Sequence, residues 1–121
     1  MPFIEVSDHG PGEQIREFAS HHMTDGLCQA FAIKPEIVTI YYNSMGYYSY
    51  AHAGKYGESA ENMRIFIKVH AFPRSAQLKA DAARRITDAV VTAYGAAPKD
   101  VIVYFFDTAQ ADAFHGGAAS A

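Results

Sequence analysis

The chain has 121 residues, half of them hydrophobic and 19% charged, which fits one domain with a modest core and excludes a disordered chain. A formal net charge of −3 argues against a nucleic-acid footprint, and the lone cysteine, Cys28, argues against a disulfide-stapled secreted fold and suits a reducing cytoplasm. No apolar run approaches the roughly 20 residues that span a bilayer, and the start, Met1–Glu5, lacks the basic and apolar regions of a signal peptide, so no membrane association is expected.

In chain order, the first predicted strand is Phe3–Val6, short and rich in apolar residues. A helix is predicted from near Pro11, with Glu13 in its first turn. Its residues Ile15, Ala19, Met23, Leu27 and Ala30 recur at helical spacing. Pro35 then leads into a second strand over Ile37–Tyr42. The following stretch, Tyr41 to Gly57, is crowded with tyrosine. It reads as an arm that packs on a neighbouring subunit in preference to a flap over a pocket, because tyrosine suits half-wet contacts. A third strand is predicted over Arg64–His70, and a second helix from the N-cap Ser75 to Gly95. Its stripe is Leu78, Ala82, Ile86, Val90 and Ala93. Pro98 leads into the last strand, Val101–Phe106.

These elements repeat. With an offset of 63 residues, Phe3–Asn43 aligns without a gap to Phe66–Phe106, and eleven of the 41 positions are identical. Unrelated segments match at roughly one position in sixteen. The two helical stripes match position for position. The repeat is too long, and its copies too few, for a solenoid, so one supersecondary unit has been duplicated. The expectation is therefore an α+β domain over residues 1–121. Two β-α-β units, 2–43 and 65–106, flank an aromatic connector, 44–63. A short strand–helix–strand unit implies parallel pairing within each copy. Two copies joined edge to edge give a four-stranded mixed sheet with both helices on one face. The last strand is apolar on both faces, so its second face needs cover, which neighbouring subunits would supply.

Positions where the copies differ are candidates for chemistry. Pro2 aligns with Ile65, and Arg74 aligns with Pro11, so each appears in one copy only. If the first and third strands pair antiparallel, Pro2 and Arg74 come to the same end of the sheet. His21, His22 and Asp25 align with Arg84, Arg85 and Asp88, which makes a surface charge pattern the better reading than a metal site. Cys28 aligns with Val91 and reads as a buried apolar thiol. No glycine-rich phosphate loop is present, and neither cofactor nor metal is expected.

Met-Pro at the start of a duplicated strand–helix–strand unit resembles the tautomerase superfamily, as does the segment Phe72-Pro73-Arg74-Ser75-Ala76-Gln77-Leu78-Lys79 with its Arg-Ser turn and downstream lysine. The tail Asp107–Gly117 resembles the C-terminal region of malonate semialdehyde decarboxylases. The resemblance implies a homotrimer with one site per subunit around the N-terminal proline. It implies tautomerisation, decarboxylation or hydrolytic dehalogenation of small acids. A single arginine, Arg74, stands where the decarboxylases and dehalogenases carry two. Leu27 stands where the cis-3-chloroacrylic acid dehalogenases carry histidine, which weighs against dehalogenation.

The expected chemistry follows from the amine. Removal of Met1 would free the secondary amine of Pro2; an uncleaved chain would hold a tertiary amide with no basicity. Apolar burial and a nearby Arg74 cation both disfavour the ammonium form and favour a general base near neutrality. The leading expectation is an isomerase acting on a small 2-oxo or enol carboxylic acid. Pro2 would be the base and Arg74 the clamp on the carboxylate. Glu36, Tyr104, Phe72 and Phe114 are candidate substrate contacts, with Phe3 in the apolar wall. Tyr104 repeats Tyr41, which favours a core tyrosine over a functional one. The alternatives are a malonate semialdehyde decarboxylase or hydratase, with Glu36 as its acidic residue, and a non-catalytic trimeric binding protein.

Overall fold

The computed structural model describes residues 2–120; Met1, whose removal governs the chemistry expected of Pro2, lies outside them. The order is β1 (Phe3–Asp8), α1 (Glu13–Phe31), β2 (Thr39–Ser44), β3 (Ala51–His52), β4 (Lys55–Tyr56), β5 (Ile65–Ala71), α2 (Ala76–Tyr94), β6 (Val101–Asp107), β7 (Phe114–His115) and β8 (Ala118–Ala119). Four strands form the main sheet in the order β2-β1-β5-β6. The β1–β2 and β5–β6 pairs are parallel, and β1 and β5 run antiparallel at the join. The fold is thus α+β, built from two β-α-β units, as the sequence repeat implied.

Strand alternation divides the residues between the faces. Ile4 and Val6 of β1 and Ile65, Ile67 and Val69 of β5 are buried with the helices' Ala19, Met23, Leu27, Ala82, Ile86 and Val90. Both helices span 19 residues. They cross closely at Gly26, where an added Cβ would stand 2.8 Å from the Cβ of Arg85. The second helix starts and stops where its end signals predicted. The Ser75 hydroxyl accepts from the Leu78 amide at 3.2 Å, and Gly95 closes the helix at a φ of 65°. Leu78 departs from the predicted stripe. It sits in the first turn of the helix and is 40% exposed.

Two strand starts also shift. Pro35 and Pro98 each open a single 3-10 turn, Pro35–Ile37 and Pro98–Asp100, so β2 begins at Thr39 and not at Ile37. The third strand begins at Ile65, one residue later than predicted.

The face of the sheet away from the helices is rich in aromatic residues. Tyr41 and Tyr104 stand on it, 58% and 56% exposed. The reading of Tyr104 as a core tyrosine is therefore corrected. Its position in the repeat is shared because both copies present it on the same outer face. The connector folds into an arm. Ala53 and Gly54, both with positive φ, turn the β3–β4 hairpin, as the two central residues of a type I′ turn must. The Tyr56 hydroxyl donates to the Tyr48 carbonyl at 2.6 Å, and Tyr50 accepts from the Arg64 amide at 3.1 Å. Between this arm and the sheet lies a hollow of about 620 Å³, lined by Tyr50, His52, Arg64, Phe66, Lys68 and Tyr104 among others.

Candidate active site

Pro2 is buried at the entry to β1. Its carbonyl accepts a long bond, 3.5 Å, from the Thr39 amide at the start of β2. Because Phe3 pairs with His70 in the antiparallel join, Pro2 lies level with the end of β5. A hollow of about 360 Å³ opens there, lined by Pro2, Phe3, Ile37, Thr39, Tyr41 and His115. Its wall is mainly apolar. The Phe3 ring meets Tyr41 edge-on at 6.2 Å and stacks on His70 at 4.2 Å. His70 is itself held by Glu5 at 2.7 Å and stacked on Phe106 at 5.0 Å.

The predicted site residues divide. Pro2 and Phe3 line the hollow. Arg74 stands just past the end of β5, at the same end of the sheet, but it does not line the hollow. Its guanidinium lies 4.7 Å above the Phe31 ring and donates to the Phe72 carbonyl at 2.8 Å. Phe72 is half-buried and Phe114 60% exposed; neither borders Pro2. Glu36 is exposed in the 3-10 turn that Pro35 opens, ahead of β2. Its charge is felt at Cys28, where burial, then Asp25, then Glu36 raise the thiol's pKa. Tyr104 borders the larger hollow under the connector arm, packed on Phe66 at 5.0 Å. Lys79, the lysine downstream of the Arg-Ser turn, pairs with Asp107 at 2.8 Å.

Four residues of this region escaped the sequence reading. Ile37, Thr39 and Tyr41 reach the hollow only because β2 and the turn before it lie beside β1, and His115 only because the tail returns to it. At the far end of the sheet, Asp8 is fully buried. It accepts from Arg16 at 2.6 and 3.1 Å, from the Tyr94 hydroxyl at 2.6 Å and from the Gly10 amide at 2.9 Å. Burial alone would raise its pKa; the bonds from Arg16, Tyr94 and Gly10, with the Arg16 charge, hold it below its usual value. Burial and the bond to Asp8 push Tyr94 strongly up.

Two comparisons show what this architecture is similar to. Residues 65–118 match the family described as Tautomerase enzyme. A native fused 4-OT has the same fold at a TM-score of 0.91 and 14% identity, over 98% of this chain and 95% of that one. A fused 4-OT described as a symmetric trimer matches at 0.86 and 19%, over 98% and 94%. A member of the cis-3-chloroacrylic acid dehalogenase family matches at 0.82 and 19%, over 98% and 83%. No curated protein matches the chain by sequence. The second unit thus carries the match to that family, and the whole chain shares the fold of these solved structures. Among the described residues no helix is long and apolar enough to cross a membrane.

Proposed function

We propose that the protein is a tautomerase-type isomerase whose base is the Pro2 nitrogen, freed by removal of Met1, acting on a small 2-oxo or enol carboxylic acid. The observation that carries this reading is the burial of Pro2 at the foot of a mostly apolar hollow. An amine there is disfavoured as ammonium, which leaves it free to accept a proton. It takes a proton from carbon or from an enol hydroxyl and returns it at the conjugate position. Phe3, Ile37 and Tyr41 exclude water around the reacting atoms. Arg74, at the same end of the sheet, turns to Phe31 and the Phe72 carbonyl and does not line the hollow, so the contact to the substrate's carboxylate falls to a residue that does.

The assembly proposed is a homotrimer. Tyr41 and Tyr104 leave a broad aromatic surface on the outer sheet face, and such surfaces mark contacts between proteins. Sedimentation at micromolar concentration is expected to give three copies per particle; a monomer would remove this part of the proposal.

The decisive experiment joins intact mass to turnover of phenylenolpyruvate. Chains lacking Met1 are expected to be active and uncleaved chains nearly inactive. Replacing Pro2 by alanine removes the positioned secondary amine, and the loss expected of a general base is about 10²–10⁴-fold in kcat. Equal activity in cleaved and uncleaved chains would refute the amine's role. Turnover of malonate semialdehyde with none of phenylenolpyruvate would favour the decarboxylase or hydratase. Failure with both acids would favour a binding protein of the same fold.

A further inference from the structure

The hollow around Pro2 needs a polar partner for an acid substrate, and Arg74 faces elsewhere. Among the described residues that line it, the one ionisable side-chain nitrogen is on His115. We infer that His115 contacts the substrate beside Pro2 and holds an oxygen of its carboxylate; this deepens the proposed isomerase and rests on its choice of site.

The tail is shaped to deliver this ring. Gly116 and Gly117 both have positive φ, 59° and 80°, as the central residues of a type I′ turn require. The turn folds β8 back on β7, pairing His115 with Ala118 and Phe114 with Ala119. The Ser120 amide donates to the Ala113 carbonyl at 3.0 Å and closes the hairpin. His115 is the last residue before the turn. Its Nδ1 lies 2.9 Å from the Ser120 hydroxyl, and its Nε2 has no partner among the described residues. When the Ser120 hydroxyl donates to Nδ1, the ring proton sits on Nε2. The protonated ring carries a proton there as well. Either form offers a donor to an acid oxygen, and the charged form offers the stronger bond. The remaining wall, Phe3, Ile37, Thr39 and Tyr41, offers two hydroxyls and no cation. The geometry thus gives His115 the part of anion contact and Ser120 that of a positioning residue.

The test separates binding from turnover. Cinnamate, a carboxylate without an enol, is titrated into cleaved protein while the His115 ring signals are followed by NMR. His115→Gln both assigns those signals and keeps a hydrogen-bond donor. Cinnamate is expected to shift the His115 resonances in the wild type and in Pro2→Ala. His115→Phe is expected to weaken cinnamate, and to raise KM for phenylenolpyruvate, by about tenfold with kcat little changed. His115→Gln should retain most of the affinity, and Ser120→Ala should lose about threefold. Circular dichroism checks that each variant is folded; the position is exposed, so they should be. Unchanged cinnamate affinity in His115→Phe would overturn the inference, as would affinity lost in Arg74→Ala alone. A Pro2→Ala variant that turns over normally would sink the isomerase reading and leave the binding measurement to judge His115.

Discussion

At one end of the sheet β1 finishes in Asp8, whose carboxylate is buried among Arg16, Tyr94 and the Gly10 amide. At the other end β5 finishes in Ala71, and the acid is Asp107, paired with Lys79 near the surface. The 63-residue offset equates these places: Asp8 with Ala71, Arg16 with Lys79, Ser44 with Asp107 and Tyr94 with Phe31. Both ends kept an acid and a base. They differ in which strand carries the acid and in whether it is dry. A buried carboxylate must be fully hydrogen-bonded, and Asp8 meets that condition with four donated bonds. That end is held by a closed network of hydrogen bonds, beside a hollow of about 310 Å³ lined by His9, Ile65 and Tyr94 among others. Among the described residues the end with Pro2 carries no buried charge; it leaves its ion pair half-wet and keeps an open hollow. The repeat supplies two equivalent corners, and they part in how the acid is held, dry and fully bonded at Asp8 and half-wet at Asp107.

This contrast can be broken by measurement. The largest effect is expected from Asp8→Ala, which strands Arg16 and Tyr94. Arg16 still reaches water, so the cost falls at the low end for a broken buried pair, about 3 kcal/mol by chemical denaturation. Tyr94→Phe removes one donor to the same carboxylate and is expected to cost about 1–2 kcal/mol.

The pH dependence sharpens the same comparison. Asp8 is held below its usual 3.8 in the folded chain, so its contribution is complete above that value and is lost as pH falls through the lower, folded one. Unfolding free energies measured from pH 5 downward are expected to drop more steeply in the wild type than in Asp8→Asn. Equal acid limbs would mean that the buried carboxylate contributes nothing. Least of all is expected from Lys79→Met, which breaks the half-wet pair with Asp107 and should change stability by under about 1 kcal/mol. A loss from Lys79→Met as large as that from Asp8→Ala would end the distinction between the two corners.

Much of the fold could be read in advance because its signals are local. The helical stripes, the Ser75 cap, the stop at Gly95 and the doubled strands all express periodicity or backbone preference within a few residues. The repeat then gave the topology, since two equal units can share a sheet with few arrangements. Where the reading slipped, a local rule met a tertiary one. Tyr41 and Tyr104 repeat, yet they face outward, because repetition reports equivalent positions and not burial.

The site was less legible. Pro2 stood out as a difference between the copies, and Arg74 beside it, but their mutual geometry depends on side-chain direction. The guanidinium turns to Phe31 and the Phe72 carbonyl, contacts that no spacing rule foretells. His115 lay within the tail that drew notice but was not itself singled out: it is one of six histidines in the chain, brought to Pro2 by the β7–β8 hairpin.

The sequence by itself determined the two β-α-β units, their joining and the singular places of Pro2 and Arg74, because periodicity, caps and duplication are written in neighbouring residues. Only the tertiary structure decided which corner buries its acid and which leaves it half-wet, and which side chains stand around Pro2. Those outcomes depend on contacts between segments far apart in the chain, where burial and hydrogen bonding act on positions that share no local pattern.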